Sequence, residues 1–210
     1  MNYLKIVGGP LQTNTYLLYE GEIGIIIDPG AYLNMIYSAI EHVGVNRIPY
    51  IIATHGHFDH IFYANKLSKN FNAPLMIHEL DVNLTRKYSD FAENMYGEVF
   101  QPPENIKPLS GECTIKLPWN VDLKIIHTPG HTMGSICIAI ENLLFTGDTL
   151  FKDSIGRVDF DESSEGEMWK SLKKLIELNG NYIILPGHGE ITTMKRELKE
   201  NPYLKRILND

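Results

Sequence analysis

Apolar residues occur along this chain in short runs that alternate with amphipathic segments, and this pattern predicts a mixed α/β protein. Compact apolar runs over 50–53 and 182–185 are typical of buried strands. Segments 34–42 and 164–178 repeat apolar residues three and four positions apart, which is typical of helices with one side on a core. A strand hairpin is expected over 13–28. Because strand-rich blocks alternate with helices twice, the pattern favours two packed sheets with helices outside them.

The same patterns predict several shorter elements. These are helices over 61–70, 79–87 and 193–200, the last ended by Pro202, and strands over 75–77 and within 113–145. The weakest pattern lies between Tyr88 and Pro108, a stretch rich in aromatic residues. It predicts either a cover over an active site or a segment whose apolar side packs on the core, and the sequence leaves both open.

Composition narrows the classes of partner. The chain has 210 residues, a net charge of −7 and no basic run longer than Lys195-Arg196, which argues against a nucleic-acid surface. We find neither a signal-peptide pattern nor an apolar run of membrane-spanning length. Cys113 and Cys137 are too few for a disulfide framework, so buried thiols are expected. We therefore expect a cytoplasmic protein that acts on a small molecule, without a nucleic-acid or membrane partner.

The most informative segment is 54–60, with the sequence THGHFDH, directly after the predicted strand 50–53. His55 and His57 are two residues apart, so in an extended chain both side chains point the same way and can bind one metal ion. Asp59 and His60 follow where the chain turns and can face a second ion. Burying so many titratable groups together without a metal would be costly.

Three further candidate ligands lie on similar loops. His131, Asp148 and His188 each follow a strand-like run, on a loop that contains Gly or Pro. Strands that end side by side would bring these loops to one rim. Imidazole nitrogen and carboxylate oxygen without thiolate suit zinc, iron or manganese.

The motifs together resemble those of the metallo-β-lactamase superfamily, and within it the glyoxalase II-like hydrolases. The resemblance rests on THGHFDH at 54–60, HTPGHT at 127–132, FTGDTLF at 145–151 and Gly156-Arg157, and the match runs from Asp28-Pro29-Gly30 to His188. It implies the α/β fold of this superfamily, a four-layer αβ/βα sandwich, as a single domain over 1–210.

The resemblance also implies roles for the candidate ligands. It places His55, His57 and His131 on one metal, Asp59, His60 and His188 on a second, and Asp148 between both. The implied cofactor is two divalent ions, with zinc expected and iron or manganese as alternatives. A metal-bound hydroxide would attack a thioester or ester, and Asp59 would act in catalysis by accepting a hydrogen bond from that hydroxide.

Two residues carry weaker predictions. Asp28 follows the apolar run Ile25-Ile26-Ile27, and it either supports the segment 54–60, hereafter the His-rich loop, by hydrogen bonding or only initiates the Pro29-Gly30 turn. Arg157 either binds an anionic substrate or forms a structural salt bridge, to Asp159 or Asp161.

The substrate is left open by the resemblance. Glyoxalase II enzymes carry a C-terminal helical domain that helps to bind glutathione. Only twenty-two residues follow His188 here, so we expect that domain to be missing. S-lactoylglutathione is then expected to be hydrolysed slowly with a high KM, and other esters at comparable or better rates.

Three alternatives to a metal-dependent hydrolase of thioesters or esters stay open. They are a mononuclear-iron persulfide dioxygenase, a lactonase or β-lactamase, and a non-catalytic metal-binding protein. Asp148 stands where some lactamases use Cys, which argues against that subset.

Overall fold

A computed structural model describes residues 1–178 and 180–209, which form two compact units, one over 1–109 and the other over the described residues from 110 onwards. Each unit is built on one six-stranded sheet. Among the described residues, none of the helices has the length and apolar character needed to cross a lipid bilayer.

The first unit has a sheet in which strand order follows chain order. Its strands are β1 (Asn2–Gly8), β2 (Thr13–Glu20), β3 (Ile23–Ile27), β4 (Ile51–Ile52), β5 (Leu75–His78) and β6 (Ile106–Leu109). Its helices are α1 (Leu33–His42), α2 (Phe58–Ile61), α3 (Ala64–Phe71) and α4 (Ser89–Tyr96), with 3₁₀ turns at Glu79–Asp81 and Leu84–Arg86. β2 pairs antiparallel with both β1 and β3, and the neighbouring strands from β3 to β6 pair in parallel.

Parallel pairing in this sheet positions the His-rich loop. Ile27 of β3 pairs with Ile52 of β4, so the residues that follow both strands leave the sheet at the same edge. Ile36 of α1 and Leu67 of α3 pack in one apolar cluster with Ile26 of β3. This cluster fixes the strands from which Asp28 and the segment 54–60 extend.

The second unit is also built on a six-stranded sheet, but its strand order does not follow chain order. Its strands are β7 (Cys113–Lys116), β8 (Asp122–His127), β9 (Ile136–Ile140), β10 (Leu143–Gly147), β11 (Leu150–Phe151), β12 (Ser154–Ile155), β13 (Ile183–Pro186) and β14 (Thr192–Thr193). The order in the sheet is β14-β13-β10-β9-β8-β7, and β11 and β12 pair as a separate ribbon. Its helices are α5 (Glu165–Ile176), α6 (Met194–Glu200) and α7 (Pro202–Asn209).

Strand direction again collects the loops of this unit. β10 and β13 are parallel, and β8 runs the same way because it is antiparallel to β9, which is antiparallel to β10. The loops after β8, β10 and β13 therefore leave one edge of the sheet. Their backbones are tied directly where Gly187 N donates to Gly147 O at 2.8 Å.

Most predicted elements are confirmed, and the differences have physical causes. The single helix predicted over 61–70 is wrong: α2 and α3 are separated at Phe62 and Tyr63, where the Tyr63 N–H bonds to the Pro29 carbonyl at 3.0 Å. The helix predicted over 79–87 is also wrong, since this segment forms two short 3₁₀ turns. The break at Pro202 is correct, but a further helix starts there, since Pro suits a first helical position and Asn201 Oδ1 accepts from Tyr203 N at 3.0 Å.

The segment between Tyr88 and Pro108, left open by the sequence, is largely ordered on the core. It contains α4 and the start of β6, and Ala92, Tyr96 and Phe100 are buried in the cluster of the first unit. Phe91 and Val99 remain exposed. The segment is therefore a packed element that presents a few apolar side chains.

Candidate metal centre

The four candidate ligands of the first unit follow β4 closely: His55 and His57 lie on the connection between β4 and α2, and Asp59 and His60 lie in α2. His55, His57, Asp59 and His60 are all buried, with 0 to 8% of each residue exposed. His55 Nε2 lies 3.1 Å from His57 Nδ1, and His60 Nε2 lies 3.4 Å from Asp59 Oδ2. Donor atoms about 2.0–2.2 Å from a tetrahedral ion are roughly 3.3–3.6 Å apart. Both pairs are close to that spacing, and their nitrogen and oxygen donors fit a divalent metal.

Asp28 holds this loop in place through three hydrogen bonds. Its Oδ1 accepts from Thr54 N at 2.7 Å, and its Oδ2 accepts from Thr54 Oγ1 at 2.8 Å and contacts His60 Nδ1 at 3.0 Å. A carboxylate on one imidazole nitrogen fixes the tautomer and leaves the other nitrogen for a metal. Asp28 is in the left-handed region with φ 51°, which Asp tolerates better than most residues. Its side chain therefore does more than initiate a turn.

Sequence reasoning missed two other supports of the loop. Thr13 Oγ1, at the start of β2, donates to Asp59 Oδ2 at 3.0 Å. Gly56 N donates to Asp81 Oδ2 at 2.8 Å. Both side chains are buried, yet they lie 46 and 25 residues from their partners along the chain. Nothing in their local sequence distinguishes them from ordinary polar residues.

Gly30 is required because two backbone segments approach closely. A Cβ built on it would lie 1.5 Å from the carbonyl oxygen of Asp59. Thr15 holds the same turn, since its hydroxyl donates to Asp28 O and accepts from Gly30 N at 3.1 Å. The Pro29-Gly30 turn and the Asp59 backbone are thus packed directly against each other.

The second unit brings its three candidate ligands together. Asp148 Oδ2 lies 3.5 Å from His131 Nε2 and 3.7 Å from His188 Nε2. His131 Nδ1 contacts the Arg157 carbonyl at 2.8 Å, which directs the other ring nitrogen towards Asp148. The carboxylate of Asp148 therefore lies between two imidazoles that come from different loops.

Arg157 contributes its backbone to this cluster, while its side chain pairs elsewhere. Its Nε and Nη2 donate to the two carboxylate oxygens of Asp159 at 2.9 and 2.8 Å. Its guanidinium lies 4.4 Å from the ring centroid of Phe160, and Phe160 in turn contacts His131 edge to face at 5.8 Å. These contacts correspond to the alternative in which Arg157 forms a structural salt bridge with Asp159.

Two threonine hydroxyls connect the loops that carry His131 and Asp148. Thr128 Oγ1 and Thr149 Oγ1 lie 3.1 Å apart, and Thr128 Oγ1 also lies 3.4 Å from Cys137 Sγ. All three side chains are buried. Burial raises the pKa of the Cys137 thiol to about 11, so this thiol stays protonated and acts in packing.

Comparison with known proteins agrees with this geometry. The family model of the metallo-β-lactamase superfamily matches residues 8–188. The chain belongs to the metallo-β-lactamase superfamily. Members of this superfamily are mostly metal-dependent hydrolases, and the α/β fold class predicted from the sequence is confirmed.

Several named proteins match this chain over nearly its whole length. The hydroxyacylglutathione hydrolase GloC of Haemophilus influenzae is 34% identical, covering 97% of this chain and 98% of the relative. The B3 metallo-β-lactamase BLEG-1 has a TM-score of 0.84 at 28% identity, over 97% of this chain and 99% of that one. The protein TTHA1623, solved in a di-iron-bound form, has a TM-score of 0.83 at 30% identity, over 96% and 100%.

These comparisons bear on the metal as well as the fold. Clusters of His and Asp side chains in a metallo-β-lactamase fold, together with a di-iron-bound neighbour, indicate divalent metal binding and leave the identity of the metal open. The assignment of particular residues to particular ions, and the single domain over 1–210, stay predictions.

Proposed function

We propose that this protein is a metal-dependent hydrolase of thioesters or esters. Seven residues would hold two divalent ions, with zinc expected: His55, His57, Asp59, His60, His131, Asp148 and His188. The observation that carries the proposal is the position of Asp148 Oδ2, 3.5 Å from His131 Nε2 and 3.7 Å from His188 Nε2. If His131 and His188 each bind a different ion, the Asp148 carboxylate, which lies beside both imidazoles, is in position to bind both ions.

Bound divalent ions would lower the pKa of water towards neutrality and polarise a substrate carbonyl. The residues of the chain would then orient the reaction. The Thr13 hydroxyl fixes Asp59 by donating to its Oδ2, so the carboxylate would be held in position to accept a hydrogen bond from the attacking hydroxide. Neither thiol suits an acyl-enzyme route, because burial raises the pKa of both Cys113 and Cys137.

The names of the relatives guide the choice of substrates. GloC is named a hydroxyacylglutathione hydrolase, which supports a thioester as the first substrate class. BLEG-1 is named a B3 metallo-β-lactamase, so a β-lactam and a lactone belong in the same panel. A small-molecule substrate, a cytoplasmic location and the absence of nucleic-acid or membrane partners stay predictions.

The proposal is tested by loading the protein separately with zinc, iron and manganese and measuring hydrolysis of S-lactoylglutathione, simple thioesters, a lactone and a β-lactam. We expect thioester or ester turnover that a chelator abolishes. Oxygen consumption with a persulfide substrate, without hydrolysis of any ester, would instead identify a persulfide dioxygenase. Stoichiometric metal binding without any turnover would identify a non-catalytic metal-binding protein.

The shared role of Asp148 gives a sharper test. The Asp148→Ala protein should lose both bound ions on dialysis, whereas the His188→Ala protein should lose one. The reason is that only the Asp148 carboxylate lies beside both imidazoles. Metal content is measured by elemental analysis, with Asp122→Ala on the exposed part of β8 as the control. Equal metal content in the two site variants would refute the bridging role.

A further inference from the structure

Two aromatic side chains border the His-rich loop on the surface of the first unit. The ring of Tyr88 lies 6.0 Å from the ring of His57, tilted by 60°. The ring of Phe91 lies 5.4 Å from that of Phe58, edge to face, and Phe58 directly follows His57. Tyr88 therefore contacts a candidate ligand, and Phe91 contacts the residue that follows that ligand in the chain.

Phe91 is unusually exposed for such a residue. It leaves 54% of its surface open, while Phe58 beneath it leaves 8%. Tyr88 directly precedes α4, and Phe91 lies in the first turn of that helix. Exposed apolar surface beside a candidate reaction centre is typical of a ligand-binding wall.

The helix that carries this pair is anchored to the core. Tyr96, at the other end of α4, stacks face to face on Phe62 with ring centroids 3.6 Å apart. Its hydroxyl donates to the Gly30 carbonyl at 2.7 Å. Burial raises the pKa of Tyr96 far above the usual range, so this hydroxyl stays protonated and remains a donor. The C-terminal end of α4 is thus held against the turn that follows Asp28.

Lys87 further restrains Tyr88. Its Nζ lies 5.1 Å from the centroid of the Tyr88 ring, within the range of a cation–π contact. Phe91 consequently offers the larger freely accessible apolar surface, and Tyr88 forms the boundary of the wall towards His57. A ligand that reaches His57 along this side would meet apolar carbon.

We propose that Tyr88 and Phe91 form an apolar wall that selects substrates with an aromatic or branched aliphatic group next to the scissile bond. The inference rests on the proposed hydrolase function and adds its substrate class. The apolar group belongs either to the acyl part or to the leaving thiol or alcohol, and both present the same chemistry to the wall.

The test measures kcat/KM of the zinc-loaded protein on two series of thioesters. One series varies the acyl group from acetyl to isovaleryl and phenylacetyl with a fixed thiol; the other varies the thiol from methyl to benzyl with a fixed acetyl group. We expect one series to rise about tenfold with apolar size, the effect of burying on the order of 50 Å² of apolar surface. The rising series identifies which part of the substrate contacts the wall.

Phe91→Ala should reduce that selectivity ratio about tenfold, and Phe91→Leu should restore most of it for the branched substrate. Tyr88→Ala should reduce it less, because Lys87 covers part of that ring. Val99→Ala is the matched control, since Val99 is an exposed apolar residue of the same unit. A flat series in the wild type, or an unchanged ratio in Phe91→Ala, would overturn the inference.

A binding measurement separates this inference from the proposed function. Calorimetric titration of the zinc-loaded protein with phenylacetate and with acetate should show tighter binding of phenylacetate, weakened about tenfold by Phe91→Ala. If phenylacetate binding depends on Phe91 but no ester is hydrolysed, the proposed hydrolase function is refuted and the apolar wall is supported. If esters are hydrolysed without preference for apolar groups and without dependence on Phe91, the hydrolase function is supported and the apolar wall is refuted.

Discussion

Replacing Asp28 by Asn tests whether the buried carboxylate prepares the His-rich loop for metal. The wild-type side chain accepts from Thr54 N and Thr54 Oγ1 and contacts His60 Nδ1, at 2.7, 2.8 and 3.0 Å. An amide has only one oxygen, so one of the two positions becomes an N–H donor. Asp28→Asn therefore cannot accept all three hydrogen bonds.

Either orientation of the new amide has a cost. With nitrogen in place of Oδ1, it faces the Thr54 N–H, and a buried backbone donor loses its acceptor. With nitrogen in place of Oδ2, it faces His60 Nδ1, which favours the tautomer protonated on Nε2 and so blocks the nitrogen available to a metal. We expect the second orientation, because the Thr54 hydroxyl can rotate and accept from the amide.

The magnitude follows from the bonds lost. A hydrogen bond to a charged group contributes about 1.5–3 kcal/mol, so we expect Asp28→Asn to lower the free energy of unfolding by about 2 kcal/mol. Loss of a partner that orients a ligand weakens metal binding about 10–100-fold. Zinc affinity is measured by competition with a chromophoric chelator, and stability by urea unfolding of the metal-free protein.

Asp122→Asn, on an exposed position of β8, controls for the loss of one negative charge. A folded Asp28→Asn protein with zinc affinity within about twofold of the wild type would refute the reasoning, because it would show that His60 needs no carboxylate to bind metal.

Two further predictions concern groups with shifted pKa values. Burial raises the pKa of Cys137 to about 11. When the protein is alkylated at pH 8 and analysed by mass spectrometry, the half-buried Cys113 should therefore react first, and Cys137 should react only on unfolding. Rapid labelling of Cys137 in the native protein would contradict its burial. The hydrogen bond with Arg196 lowers the pKa of Asp153. The pair should therefore stabilise the folded protein fully at pH values above the ordinary Asp pKa, and this stabilisation should disappear as the pH falls through the lowered pKa. Asp153→Asn should then destabilise at neutral pH, less so in high salt because the pair is exposed, and not in strong acid; an equal effect at all pH values would contradict this origin.

The local periodicity was enough to predict a mixed α/β chain and the loops that carry the candidate ligands, and the motifs on those loops, through their resemblance to a known superfamily, predicted the family and its fold. His131 follows the alternating strand β8, whereas His55 and Asp148 follow the apolar runs that form β4 and β10. Burial on both faces makes such a strand a continuous apolar run, and its end is marked by Gly, Pro or polar residues; both signals are local.

Only the tertiary structure decided which residues support these loops. Thr13 and Asp81 hold Asp59 and Gly56 across 46 and 25 residues of chain, and Tyr63 interrupts the predicted helix because its N–H bonds to the Pro29 carbonyl. Such partners are brought together by strand pairing and core packing, and their spacing along the chain follows no helical or strand period. The exposure of Phe91 beside the buried Phe58 has the same origin, because it depends on how α4 packs and not on the sequence around it.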